Sequence, residues 1–131
     1  MATTYNFEDI YDYFYSQCTD EEKKQNATPK CDQFIQAMFA EFIIYVDSDA
    51  SIDYTAKTFI TTSNLTEIQK YLLGLMMYRE LKKEKVTKQS TLSNLVSDSH
   101  KITGMGEIKK AVREDYENVN NKINDILATF L

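Results

Sequence analysis

Asn64-Leu65-Thr66-Glu67-Ile68-Gln69-Lys70-Tyr71-Leu72-Leu73-Gly74-Leu75-Met76-Met77-Tyr78 is the stretch on which the fold class turns. Leu65, Ile68, Leu72, Leu75, Met76 and, further on, Leu81 recur at helical spacing and form an expected core line. From Tyr71 to Tyr78 the residues are apolar all round, the pattern of a helix buried on most of its sides. Asn64 is the expected N-cap, with Glu67 three residues on completing a capping box. Gly74 costs helix propensity but lets a crossing helix come close. The exit is cationic, with Arg79, Lys82, Lys83, Lys85 and Lys88 around Glu80 and Glu84, which suits the negative end of the helix dipole.

Composition agrees with a helical reading. The chain has 131 residues and 15.2 kDa, the size of one domain. Hydrophobic residues at 43% and charged ones at 27% mark a globular protein. Three glycines and one proline are too few for the tight turns of a barrel or sandwich. The expected class is all-α, a bundle of about four main helices in a single domain over residues 1–131.

Working toward the N-terminus, Phe7, Ile10, Tyr11, Phe14, Tyr15 and Cys18 make one helical stripe. Asn6 is its expected N-cap, with Glu8 and Asp9 at the positive end of the dipole. Thr19-Asp20-Glu21-Glu22 reads as a capping box opening a short polar turn of helix. Thr28-Pro29 restarts the chain as N-cap and first helical position. Apolar doublets follow at 34–35, 38–39, 42–43 and 45–46, a broad face expected to pack on two neighbours.

From Ile52 to Ile60 the chain alternates, with Ile52, Tyr54, Ala56, Thr58 and Ile60 on one side. This predicts one extended segment. A lone strand cannot satisfy its own N–H and C=O groups, so it needs a partner: residues 86–92, or the same segment of another copy. Residues 86–105 read as a long polar excursion carrying Leu92, Leu95, Val96 and Ile102, either mobile or bound to something. The last helix, 106–131, bears a seam of Ile108, Val112, Tyr116, Val119, Ile123, Ile126 or Leu127, and Phe130. At 1.5 Å per residue it would extend roughly 37 Å, enough to span the body or project from it. Its apolar end reads as docked, in the same chain or in a partner.

Chemistry is sparse. Asp47 to Asp53 starts like a calcium loop, but Ile52 and Thr58 stand where Gly and a bidentate Glu are required. One histidine, His100, and two cysteines, Cys18 and Cys31, do not make a zinc site or a triad. The cysteines read as small buried hydrophobes in a reducing compartment. Gly104-Met105-Gly106 lacks the rest of a dinucleotide turn. No catalytic, cofactor-binding or metal-binding residues are expected, and the protein is read as a non-enzyme. No apolar run nears the roughly 20 residues that cross a bilayer, and no leader opens the chain, so a soluble, non-membrane protein is expected. Net charge is −5, with eleven carboxylates against four lysines up to residue 66 and nine carboxylates against eleven cations beyond it. Such a chain can stack acidic face to basic face.

The order of parts resembles the head-to-tail connector (adaptor or neck) proteins of tailed bacteriophages. Two aromatic-rich helices lead through an extended linker to the apolar helix at 64–77, then to a Lys-rich exit, a polar excursion and a long last helix. The resemblance covers about residues 30–131 in plan, and its local signature is the apolar helix with its basic exit. It implies a dodecameric ring of copies beneath the portal protein, in the neck of the virion and in the host cytoplasm during assembly. Further neck or tail proteins would dock on this ring. DNA would pass through its channel without sequence-specific binding, and acidic side chains facing the channel would let it slide. The interface residues would be Ile52, Tyr54 and Ile60 on the extended segment, Leu92, Leu95 and Ile102 in the excursion, and Ile126, Leu127, Phe130 and Leu131 at the tip. A second reading is an acidic phage inhibitor of a host defence nuclease. It would mimic nucleic acid with Glu8, Asp9, Asp12, Asp20, Glu21 and Glu22 on one continuous face.

Overall fold

The computed structural model describes residues 2–25, 28–97 and 105–129. In chain order these form β1 (Thr3–Asn6), α1 (Phe7–Tyr15), α2 (Asp20–Gln25), α3 (Thr28–Tyr45), β2 (Ser51–Asp53), β3 (Thr58–Thr61), α4 (Glu67–Ser97) and α5 (Met105–Ala128). The fold is mostly helical, but it is not all-α. A three-stranded antiparallel sheet in the order β1-β3-β2 closes one end.

That sheet corrects the single extended segment expected over 52–60. Asp53 Oδ1 accepts the N–H groups of Thr55 and Ala56, both at 3.0 Å, an Asx turn that folds the run back on itself. Lys57 takes a φ of 54°, a left-handed conformation that completes the reversal. The partner of β3 is neither 86–92 nor another copy. It is the chain's own β2, with Ile52 opposite Phe59, and its own β1, with Tyr5 opposite Phe59. Residues 86–97 are the continuation of α4, so most of the expected excursion is helix.

Helix starts follow their side chains. Asn6 N–H donates to Asp9 Oδ2 at 3.2 Å. Thr19 N–H donates to Glu22 Oε1 at 3.0 Å, and Glu22 N–H returns to Thr19 Oγ1 at 3.2 Å. At α4 the cap lies two residues beyond the expected one: Thr66 exchanges bonds of 2.9 and 3.2 Å with Gln69. Asn64 Oδ1 instead accepts Thr3 Oγ1–H at 2.6 Å, tying β1 to the entry of α4.

The first half of α4 is the axis of the core, with Leu72, Leu73, Leu75, Met76 and Met77 all buried. α1 runs alongside in the same direction, since Leu65 N–H donates to Tyr5 Oη and Phe14 meets the Tyr78 ring at 6.5 Å. A Cβ on Gly74 would lie 2.2 Å from the Tyr13 carbonyl oxygen, so this close approach requires glycine. α3 runs the opposite way, as Lys30 pairs with Glu84 and Glu41 with Arg79. α5 is also antiparallel to α4, with Lys82 near Asp115 and Arg79 near Asn120. Phe59 packs edge-on against Phe39 and Phe42 and fastens the sheet to α3.

α5 does not project from its apolar tip. Val119, Ile123 and Leu127 are buried, while none of residues 110–118 is. The less buried part is elsewhere: none of the described side chains at 83–88 of α4 is buried, any more than those at 110–118 of α5.

Candidate functional site

The side chains that could carry chemistry are used to tie helices together. Glu22 is 4% exposed on α2. Its carboxylate meets Lys82 at 3.3 Å and Lys85 at 3.0 Å, and it accepts the Tyr78 hydroxyl at 2.9 Å. Burial alone would raise this carboxyl, but the Thr19 N–H, Lys85, Tyr78 and Lys82 outweigh it and hold it at about 2. Burial and the neighbouring Glu22 push the Tyr78 phenol well above its usual range. The Lys82 ammonium also sits 5.0 Å from the centre of the Tyr78 ring.

A second tie joins Arg79 to the Glu41 carboxylate on α3 and to Asn120 Oδ1 on α5, the latter at 3.0 Å. At the outer edge, Glu84 holds Lys30 at 2.7 Å and Lys88 at 3.2 Å, and these bonds set its carboxyl below the usual value. The Tyr11 hydroxyl and Lys57 both bind Asp32, locking the β-turn onto α1 and α3.

The cysteines are not joined in a disulfide. Burial lifts the Cys18 thiol to about 12 and raises Cys31 as well, which keeps both in the unreactive thiol form. Among the described residues no group of three His, Cys, Asp or Glu is placed to hold a metal ion, and no helix is long and apolar enough to cross a membrane.

The expected interface residues do not form one surface. Ile52 and Ile60 are half-buried within the sheet, and Ile60 lies on the central strand, paired on both sides. Tyr54 is 46% exposed at the turn, with its ring 6.4 Å from Phe7. Leu127 is buried and Ile126 half-buried against the chain's own core, so this part of the tip is docked internally. Leu92 and Leu95 lie on the second half of α4, their side chains outside the description. Ile102, Phe130 and Leu131 lie outside the described residues.

Tyr54 is among the exposed large apolar residues, and the sequence reading missed the other four. Together with Tyr54, Ile44, Tyr45, Ile68 and Tyr71 stand between 44% and 71% exposed. Ile68 is expected in the core line of α4 but is 56% exposed, although Leu65 before it and Leu72 after it are buried. Ile44 and Tyr45 stand at the end of α3 and Ile68 and Tyr71 near the start of α4, two segments that meet around Val46, Leu65 and Gln69. Tyr54 stands apart from them, on the β-turn that Lys57 ties to Asp32 near the start of α3. The other end of α4 is its second half with the facing part of α5, where none of the described side chains at 83–88 or 110–118 is buried. α3 and α4 border a shallow groove of about 490 Å³ lined by Phe34, Ala37, Lys83, Glu84, Thr87 and Lys88.

The acidic stretch is also divided. Glu8, Asp9, Asp12, Asp20 and Glu21 face solvent, whereas Glu22 is turned inward onto lysines.

No family model matches the chain, and no curated protein or solved structure matches it either.

Proposed function

We propose that this chain is a structural virion protein, a head-to-tail connector subunit that works by docking at its two ends. The observation that carries this reading is the exposure of Ile44 and Tyr45 at the end of α3 and of Ile68 and Tyr71 near the start of α4, at the opposite end of α4 from the part that pairs with the start of α5. Large exposed apolar side chains favour a protein partner, and Tyr and Ile there are more readily covered than solvated. The order of helices and the apolar α4 with its basic exit support the connector form. Copies form a dodecameric ring under the portal protein. One end meets the portal and the other presents the platform for further neck or tail proteins, with DNA passing through.

Ile52, Ile60 and Leu127 are left out of this interface, because they pack within the chain's own sheet and core, whereas Tyr54 stays exposed. The nuclease-inhibitor reading loses one of its six carboxylates, since Glu22 is neutralised inside the fold.

Cross-linking mass spectrometry on intact virions tests the proposal. It expects links from this chain to the portal and to copies of itself. Absence of the chain from virions, with recovery in a one-to-one complex with a nuclease, would overturn it.

A further inference from the structure

We infer that α5 is an exchangeable helix: it leaves its seat on α4 as a unit, and that seat takes α5 from a second copy of the chain. The inference is independent of the neck reading, since it concerns only how copies hold one another.

Three observations carry it. First, α5 is tied to the rest of the fold through α4, and of its described side chains only Val119, Ile123 and Leu127 are buried. A helix seated extensively on one neighbour alone can leave it without dismantling the contacts among the other elements. Second, the α4 stripe beneath it runs Leu72, Leu75, Arg79, Lys82 at helical spacing, and the two cations keep partners when α5 departs. Arg79 retains Glu41 of α3, and Lys82 retains Glu22 of α2. From α5 they receive only the neutral Asn120 and the Asp115 carboxylate at 3.8 Å, itself 60% exposed. Had the principal counter-charges come from α5, opening would strand two buried cations at heavy cost. Third, the uncovered seat has an apolar end and a cationic end. It fits a helix with an acid followed by apolar residues four apart, which α5 of another copy supplies with Asp115, Val119, Ile123 and Leu127.

Asp115 and Lys82 are close enough for a zero-length carbodiimide cross-link, which reads directly whose α5 occupies whose seat. Full-length chain labelled with nitrogen-15 is mixed with unlabelled chain, incubated, cross-linked and digested. Exchange predicts Lys82–Asp115 links between labelled and unlabelled peptides, rising with protein concentration toward roughly half of all such links under random pairing. Ile123→Ala, which removes an anchor, is expected to speed their appearance roughly tenfold or more. Same-isotope links alone, in the wild-type chain and the variant, or no link at this pair, overturn the inference. Absence of exchange would leave virion cross-links to the portal unaffected, so the two proposals fail separately.

Discussion

The two halves of α4 are one continuous helix and two different kinds of structure. From Leu72 to Lys82 nearly every residue is buried, because α1, α3 and α5 enclose it and Gly74 lets α1 come against the backbone. From Lys83 onward the side chains are mostly polar, with Val86, Leu92, Leu95 and Val96 interspersed, and the described ones to Lys88 are half-buried or exposed. The difference lies in neighbours rather than in helix propensity, since Lys, Glu and Gln suit a helix as well as Leu and Met do. The first half is helical because it is packed. The second half is helical because it continues from the first and pairs with α5.

The strongest way to break the first half is Gly74→Val. The new Cβ meets a backbone carbonyl at 2.2 Å, which cannot rotate away as a side chain would. A loss of about 3 kcal/mol or more is expected, seen as a fall in the urea midpoint.

Glu22→Gln comes next. It removes the charge that balances Lys82 and Lys85, at an expected cost of about 3 kcal/mol near neutral pH. The Glu22 carboxyl is depressed in the fold, from an ordinary 4.5 to about 2. Its stabilisation is therefore complete above the ordinary carboxylate range and is lost as pH falls from there toward 2. Urea midpoints for the wild type and Glu22→Gln should accordingly converge as the solution is acidified.

The smallest expected effect is in the second half. Lys88→Ala breaks an exposed pair with Glu84, which keeps Lys30, so less than about 0.5 kcal/mol should be lost. A loss as large as that of Glu22→Gln would erase the distinction between the halves.

Much of this was legible in the residues themselves. The α1 stripe, the Thr19–Glu22 box, the restart at Thr28-Pro29 and the apolar run at 71–78 are local signals. The structure keeps the first three, and of the last it buries 72–77 while leaving Tyr71 exposed and Tyr78 half-buried. The sheet was not legible in full. β1 has four residues, too short for periodicity to register, and the turn at 54–57 has no Gly, Pro or Asn to announce it. The only cue was Asp53, whose carboxylate starts the turn. The length of α4 was hidden because 86–97 lacks a continuous apolar face, so the pattern stopped where the neighbours did. The exposed apolar residues were legible in part. Ile44 falls in register with the exposed positions 33, 37 and 40 of α3, off the stripe of Cys31, Ile35, Met38 and Phe42, whereas Ile68 shares its register with buried Leu65 and Leu72 and only the packing leaves it uncovered.

Hydrogen exchange of the full-length chain, resolved by residue, tests the division of α4 most directly. Amides at 72–82 should exchange only through global unfolding, whereas those at 83–97 and 110–128 should exchange orders of magnitude faster, in step with one another. Uniform protection along the whole of α4 and α5 would contradict it.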